Sequence, residues 1–319
     1  MTARPATWLL ALVLLGTPLS VTAQDSTFSR DRWLPSRPPW VIAHRGSNEV
    51  APENTLAAFK LAVEEGADIV EMDCQATRDG KLVILHDETV DRTSDGHGPI
   101  ADLTFEHVRK LDFSRGKPSY KGERIASLEE VCRWLKGTPV GLIVEAKTPY
   151  KRDPGLAERI AAMLESEGIL DRALVEDFDE RGLTRVHARW PDAMLGKLNV
   201  FKAWGLVPML ERAGAWAYLP DHRYVTGREI ARLHASGYRV CVWTANEPAQ
   251  WRRMIHYGAD GIMTNAPGRL RRLLDQLGYG RRPWPAGRLE KLETVVQPVS
   301  SSAAPGLRDN GAGASPPRP

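Results

Sequence analysis

The sequence predicts a single (β/α)8 barrel of the TIM type over about residues 38–280, with a small insertion after the second strand region. Apolar runs with the length of buried strands alternate with amphipathic stretches, and this alternation is typical of a parallel sheet. Eight helical stretches follow one another in a chain of 319 residues. Eight helices in a chain of this length favour a closed barrel, which needs about 250 residues. The first strand is not followed by G-x-G-x-x-G, which counts against an open dinucleotide-binding sheet.

The strand predictions rest on short apolar runs and the helix predictions on longer amphipathic ones. Strands are predicted at residues 40–43, 68–74, 82–85, 140–146, 173–178, 193–198, 215–219, 239–244 and 261–264. Helices are predicted at residues 55–65, 128–136, 154–167, 180–188, 206–213, 227–236, 248–256 and 267–277. Thr226 precedes one of these helices, and Pro248 stands in the first turn of another, where proline is tolerated. Gly66 and Gly258 follow predicted helix ends, a position that favours glycine.

Residues 87–125 interrupt this alternation. The segment is too long for an ordinary strand–helix loop, and it contains several turns and a short helical stretch at 104–111. The loops that follow barrel strands build the active sites of this fold. We therefore expect a small insertion at the mouth of the barrel.

The two ends of the chain differ in composition from the predicted domain. Residues 1–23 contain Arg4, an apolar run at 8–16 and the small residues Val21-Thr22-Ala23, which is the layout of a cleaved signal peptide. The run is shorter than the ~20 residues that span a bilayer. Residues 281–319 are rich in Pro, Gly, Ser and Ala without apolar periodicity, which predicts a disordered tail. The protein is therefore predicted to be exported, periplasmic or secreted, with no integral membrane segment after cleavage.

Composition limits the possible functions. A hydrophobic fraction of 42% and a charged fraction of 26% are typical of a soluble globular protein. The net charge of +3, without a dense Lys/Arg stripe, gives no support to nucleic-acid binding. An odd count of 3 Cys is not a disulfide framework, and Cys74 and Cys241 lie in apolar runs that predict buried thiols. A single bridge stays open in an oxidising compartment, and nothing in the sequence indicates the oligomeric state.

Polar residues gather at the ends of four predicted strands, where barrels of this type have their active sites. The four clusters are His44-Arg45-Gly46, Glu71-Met72-Asp73, His86-Asp87 and Glu145-Ala146-Lys147. Residues two apart on a strand face the same side, so Glu71 and Asp73 project together. Two buried carboxylates are tolerated when a cation lies between them, and oxygen ligands suit Mg2+ or Ca2+. Pairing of the two with nearby Lys or Arg is the alternative.

The four clusters together predict a chemistry that none of them predicts alone. Glu145 can complete a three-carboxylate metal site, while Arg45 and Lys147 can hold phosphate oxygens. His44 and His86 are the side chains best matched to proton transfer near neutral pH. A capping His at a turn, or a His bonded to its neighbouring Asp, would explain either histidine without catalysis. A cation, basic side chains and an acid/base pair are what phosphodiester cleavage needs.

These residues resemble the glycerophosphodiester phosphodiesterase family in order and spacing over roughly residues 40–275. The similarity also includes Pro52-Glu53-Asn54-Thr55, Gln75 with Thr77, Asp79 and Gly80, Trp243-Thr244-Ala245-Asn246 and Asp260-Gly261-Ile262. It implies a TIM barrel, one divalent cation (Ca2+ or Mg2+) bound by Glu71, Asp73 and Glu145, and His44 and His86 as the acid/base pair. It further implies that Arg45 and Lys147 hold the phosphate, and that Trp243 packs against glycerol, although a core Trp is the alternative.

The resemblance implies hydrolysis of small-molecule glycerophosphodiesters to glycerol 3-phosphate and an alcohol. The chain departs from the family's usual pattern at Glu176-Asp177-Phe178, at Thr264-Asn265 and at residues 125–128, and the first two departures bear on the substrate pocket. One alternative is a lysophospholipase D or sphingomyelinase D-like enzyme that cleaves lipid head groups. Another is a glycerophosphodiester-binding protein without turnover.

Overall fold

The computed structural model describes residues 39–147, 155–202 and 204–280, and within them eight parallel strands close into a barrel. The barrel strands are β1 (Trp40–Ala43), β2 (Ile69–Ala76), β4 (Gly141–Ala146), β5 (Ala173–Asp177), β6 (Met194–Asn199), β7 (Ala217–Pro220), β8 (Arg239–Val242) and β9 (Gly261–Thr264). Pairing runs through neighbouring strands, and β1 closes the ring by pairing with both β2 and β9. The predicted TIM-type fold is therefore confirmed.

A helix follows each barrel strand. These eight helices are α1 (Leu56–Glu64), α3 (Leu128–Lys136), α4 (Leu156–Ser166), α5 (Glu180–Arg189), α6 (Leu206–Arg212), α7 (Gly227–Ala235), α8 (Pro248–Tyr257) and α9 (Pro267–Gln276). Their starts follow local chemistry: Ser127 and Thr226 form capping boxes with Glu130 and Glu229, which satisfy backbone N–H groups of the first turns.

The third predicted strand, at residues 82–85, differs from the other eight. β3 (Leu82–Ile84) pairs with β2 in the antiparallel direction and is not part of the closed ring. An apolar run predicts a buried strand without giving its direction, so the sequence did not distinguish this hairpin arm from a barrel strand. The segment beyond it contains the short helix α2 (Phe105–Val108) and packs on its own small core, which includes Val90, Ile100 and Phe113.

The strands have two buried faces, and their alternation separates the site from the core. Outward-facing residues such as Met72, Val144 and Val175 pack against the helices. Inward-facing residues fill the barrel, with Ile69, Ile143 and the other members of the inner cluster in its lower part. On β2, β4 and β5 the inward positions nearer the carboxyl ends are acidic, and this change along the three strands places the acidic side chains at the mouth.

Several predictions about the rest of the chain remain predictions. The signal peptide at 1–23 and the disordered tail at 281–319 lie outside the described residues.

Cys74, Cys132 and Cys241 are all buried free thiols. Among the helices of the described ranges, none combines the length and apolarity needed to cross a membrane.

Candidate active site

Three buried carboxylates form the centre of the site. Glu71 and Asp73 come from β2 and Glu145 from β4, where Asp73 and Glu145 are register partners. One oxygen from each residue lies within 4.8 Å of the others. Glu71 and Asp73 are each 1% exposed, and Glu145 is 9% exposed. The three groups that the sequence predicted to act together are thus brought together by the register of two adjacent strands.

The electrostatics of this trio favour a bound cation. Burial and the Asp73 carboxylate raise the pKa of Glu145 to about 7. Burial and Asp73 also raise the pKa of Glu71 well above its usual range, whereas Arg45 and Lys147 hold the pKa of Asp73 at about 2, against burial. The Oδ1 atom of Asp73 is buried without a hydrogen-bond partner in the described part of the chain. Hard oxygen donors, mutual repulsion and an unpartnered oxygen fit a divalent cation such as Ca2+ or Mg2+.

Two basic side chains border the trio. The Nε of Arg45 lies 3.1 Å from Asp73 Oδ2, and the Nζ of Lys147 lies 2.9 Å from Glu145 Oε1 and 3.7 Å from Asp73 Oδ1. Burial lowers the pKa of each basic group, but the facing carboxylates outweigh it and raise both pKa values. Both groups therefore stay charged beside the acids, where they can attract phosphate oxygens.

The turn between β1 and α1 is built to hold Arg45 in place. Arg45 and Asn54 adopt left-handed backbone conformations, with φ of 55° and 59°. Gly46 has φ of 82°, and a Cβ there would lie 2.7 Å from the backbone of Ala58, so only glycine fits under α1. The Arg45 N–H donates to Glu71 Oε2 at 2.8 Å, and the Asn54 amide donates to Asp73 Oδ2 at 2.8 Å. Strained backbone of this kind is common at functional sites.

His44 follows β1 and has an amide as its partner. Its Nδ1 lies 2.6 Å from Asn265 Oδ1, which also accepts from the Asn48 amide at 3.1 Å. An oxygen that accepts two bonds fixes the imidazole tautomer with the proton on Nδ1, which leaves Nε2 free to accept a proton. Burial and the neighbouring Arg45 lower the pKa of His44 to about 4.

His86 reaches the site by a different route from the one predicted. It does not follow a barrel strand: β3 runs back antiparallel to β2, and the Leu85 N–H donates to the Asp73 carbonyl at 2.9 Å. The buried amide of Gln75 donates to the carbonyls of Leu85 at 2.9 Å and Asp87 at 2.6 Å, which anchors this segment. The mouth position of His86 is thus a property of the hairpin.

A chain of ion pairs orients His86. Its Nδ1 lies 2.7 Å from Asp87 Oδ1, and Arg92 of the insertion contacts Asp87 Oδ2 at 2.6 Å. Arg92 also contacts Glu53 at 2.7 Å, and Glu53 contacts Arg45 at 3.0 Å. Burial lowers the pKa of His86, while Asp73 and Asp87 oppose that shift. The two histidines therefore differ in kind: His44 faces an amide and His86 a carboxylate.

Trp243 lies at the mouth, beyond the end of β8. Its Nε1 donates to the Leu219 carbonyl at 2.8 Å, and its ring meets Phe178 edge-on at 5.9 Å. It packs beside the inner barrel cluster and is only partly buried. The ring is therefore anchored at one edge and remains partly exposed at the mouth.

Sequence reasoning missed residues that act through a partner far away in the chain. In the sequence, Asn265 is a departure from the family pattern, and Gln75 and Asn54 belong to the matching motifs, but their hydrogen-bond partners are visible only in the fold. No sequence pattern points to Arg92, because nothing in the sequence shows that this insertion residue contacts both Asp87 and Glu53.

A closed parallel barrel with acids, bases and two histidines at its carboxyl end defines an α/β-barrel enzyme of phosphodiester chemistry. The model of the glycerophosphoryl diester phosphodiesterase family matches residues 44–269. The chain belongs to this family, and it is a phosphoric diester hydrolase.

Relatives and solved structures agree with this assignment. The chain is 34% identical over 242 residues to the glycerophosphodiester phosphodiesterase of Caldanaerobacter subterraneus subsp. tengcongensis, covering 75% of this chain and 98% of that relative. It is 29% identical over 286 residues to the Bacillus subtilis enzyme of the same name, covering 82% and 94%. The structure of an Oleispira antarctica phosphodiesterase in complex with the product sn-glycerol-3-phosphate is similar, with a TM-score of 0.71, 28% identity and coverage of 74% and 97%.

Proposed function

We propose that this enzyme hydrolyses glycerophosphodiesters to glycerol 3-phosphate and an alcohol, with one divalent cation and two histidines. The observation that carries the proposal is the buried trio of Glu71, Asp73 and Glu145 with Arg45 and Lys147 beside it. The cation, Ca2+ or Mg2+, would polarise a phosphoryl oxygen and offset the charge that develops there. The product complex of the Oleispira antarctica relative supports the same substrate class.

The protein groups around the phosphate have separate tasks. Arg45 and Lys147 hold the anionic diester. Nε2 of His44 accepts the proton of the attacking hydroxyl or water, and His86 donates a proton to the leaving alkoxide oxygen. The partners support this assignment, because the Asp87 carboxylate stabilises an imidazolium more strongly than the neutral Asn265 amide does. Trp243 packs against the glycerol moiety.

The first test is a metal-reconstitution assay. Chelator-stripped protein is incubated with glycerophosphocholine, Ca2+ or Mg2+ is added back separately, and glycerol 3-phosphate is measured. We expect release that depends on the cation and is abolished by Glu71→Ala. Absence of release from a folded protein with either cation would contradict the proposal and favour a lipid head-group substrate or a binding role.

The roles of the histidines require their own variants. His86→Ala is expected to lower kcat by about 100-fold or more, as for loss of a general acid. An alcohol that leaves without protonation should lose less in this variant, so an activated aryl leaving group is the matched control. Normal turnover of glycerophosphocholine by folded His86→Ala protein would show that His86 is not the acid. Detection of a cyclic phosphate would show that the substrate's own hydroxyl attacks first.

One feature favours the second candidate substrate, a lysophospholipid. Aromatic side chains surround the mouth on the side of β5 to β8: besides the Phe178–Trp243 pair, Phe201 and Tyr224 are in ring contact at 6.0 Å and are 68% and 41% exposed. Exposed aromatic surface of this kind suits an apolar substituent. Release of choline from lysophosphatidylcholine, compared with release from glycerophosphocholine, decides between the two substrates.

Export is part of the same proposal. The predicted signal peptide at 1–23 supports a periplasmic or secreted enzyme that acts on small glycerophosphodiesters outside the cytoplasm. Mass spectrometry of the protein from culture fractions tests it, with an N-terminus after Ala23 as the expected result and retention of residues 1–23 in the cytoplasm as the contrary one.

A further inference from the structure

Glu176 is a fourth inward-facing carboxylate at the level of the site. It lies on β5 directly opposite Glu145 in the strand register, and it is 1% exposed. The Glu176 side chain points into the barrel, as the alternation along β5 shows: Leu174 packs in the inner cluster, and Val175 packs outward against the helices. None of the roles assigned above uses this residue.

Glu176 lacks the partners that a buried carboxylate normally has. Its Oε2 atom is buried and makes no hydrogen bond within the described ranges. Burial is the largest cause that raises the pKa of Glu176 well above the usual range, followed by the charges of Glu71, Glu145 and Asp73, and Lys147 opposes the shift. An unpartnered buried carboxylate is costly, so a buried acid normally pairs with a cation or a hydrogen-bond donor.

The barrel makes room for this side chain. Gly196 is the register partner of Glu176 on β6, and a Cβ at Gly196 would lie 3.3 Å from the Glu176 Cβ and 2.4 Å from a Leu219 methyl. Glycine at this position lets the neighbouring side chains fill the space inside the barrel. Glu176 is therefore accommodated by the packing around it.

We propose that Glu176 is a fourth carboxylate of the cation site, which strengthens binding of the divalent ion by its charge. This inference rests on the proposed metal-dependent function. The oxygens of Glu71, Asp73 and Glu145 form the tight cluster, and Glu176 adds its charge from the neighbouring strand. Four carboxylates face the two cations Arg45 and Lys147, so the charge that is still uncompensated equals that of one divalent ion.

The test measures cation binding directly, without turnover. Chelator-stripped protein is titrated with Ca2+ and with Mg2+ by calorimetry, with every variant at the same fixed pH. Glu176→Gln keeps the shape and removes the charge. We expect its Kd for the cations to rise by about 10- to 100-fold, the usual cost of removing a group that supports metal ligands.

Two further variants serve as controls. Glu176→Asp keeps the charge and should retain most of the affinity, which separates charge from packing. Asp260→Asn neutralises a buried acid near the start of β9, where Asp260 contacts His234 at 2.7 Å, and should lower stability without changing the Kd. Thermal unfolding in chelator shows whether each variant is folded.

The outcomes separate this inference from the proposed function. If the unaltered protein binds neither cation, both the metal-dependent function and the role of Glu176 are wrong. If the unaltered protein binds a cation and folded Glu176→Gln binds it equally well, only the role of Glu176 is wrong. A weakened Kd in Glu176→Gln that Glu176→Asp largely restores supports the role.

Discussion

At the scale of single residues, the proposed base and the proposed acid are identical side chains with different partners. His44 bonds to the Asn265 amide and His86 to the Asp87 carboxylate. A carboxylate stabilises an imidazolium more strongly than a neutral amide does, and this difference fits the proposed division into a base and an acid. The identity of residue 265 is therefore a means of tuning His44.

Asn265→Asp tests this tuning. A carboxylate next to Nδ1 should raise the pKa of His44 above its value of about 4, by about 1 to 3 units for a close opposite charge. The acidic limb of the kcat/KM profile should then move to higher pH, since His44 acts in its neutral form. The measurement is a pH–rate profile of both proteins at saturating cation.

The control for this prediction is His86, whose imidazole NMR titration should not change in Asn265→Asp. An acidic limb that stays in place while the His44 titration moves would mean that His44 is not the base.

The sequence predicted the residues of the site far better than their partners. Glu71 with Asp73, and Glu145 with Lys147, are pairs two apart on one strand, and the period of a strand is enough to align them. Asn265 is 221 residues from His44 and Arg92 is 39 residues from Glu53. No local pattern encodes such contacts, because the closure of the barrel and the path of the insertion create them.

At the scale of elements, the turn from β1 into α1 joins the barrel to the site. Gly46→Ala should destabilise the protein, because the new Cβ would meet the Ala58 backbone at 2.7 Å in addition to the cost of φ at 82°. The positive φ alone lowers the free energy of unfolding of an alanine variant by about 1–2 kcal/mol. A loss larger than that, together with lower activity as Arg45 and Asn54 shift, is expected from thermal unfolding and kinetic assays.

Gly278→Ala is a matched control for this substitution. Gly278 has the same φ of 82°, but a Cβ there has nothing within 4 Å. The difference between the two variants therefore measures the contact with α1. Equal losses in both would show that the close approach of α1 is not needed.

The hairpin of β2 and β3 is the element that the sequence did not resolve. Its apolar run has the length and composition of a barrel strand, and the antiparallel pairing arises from the tight turn at residues 77–81. His86 lies at the mouth, as predicted, but it follows a hairpin strand and not a strand of the barrel.

Gln75→Met tests whether the hairpin segment positions His86. The variant leaves the carbonyls of Leu85 and Asp87 without the side-chain donor, at a cost of about 1–3 kcal/mol for such buried groups. Because His86 is no longer held, kcat should fall while KM changes little. Arg172→Met is the control: it removes bonds to the Thr138 and Val140 carbonyls and should lower stability with kcat preserved. An unchanged kcat in Gln75→Met would remove the positioning role.

At the scale of the whole molecule, the barrel concentrates buried acids at one end and apolar side chains in its lower part. The helices and inner cluster supply the stability, and the mouth works against it, since carboxylates without a cation repel one another. We therefore expect fold stability, pH and cation binding to be linked through the same residues.

The linkage has a definite sign. The pKa of Glu145 is raised from 4.5 to about 7 in the fold, so its contribution to stability is present below 4.5 and is lost as pH rises through about 7. His44 acts in the opposite direction, because its lowered pKa of about 4 removes stability as pH falls from 6.5 toward 4. The pH dependence of Tm for one protein sample contains both effects. The difference in Tm between cation-loaded and chelator-treated protein largely cancels the His44 contribution.

That difference in Tm should grow as pH rises through about 7, since protons compete with the cation for Glu145 below that value. At a cation concentration 100 times Kd the stabilisation is about 2.7 kcal/mol, which corresponds to several degrees in Tm for a domain of this size. Differential scanning calorimetry below 4.5 and above 7 measures it. Glu145→Gln should abolish both the stabilisation and its pH dependence. A stabilisation by cation that is independent of pH would place the ion away from Glu145, and with it away from the mouth of the barrel.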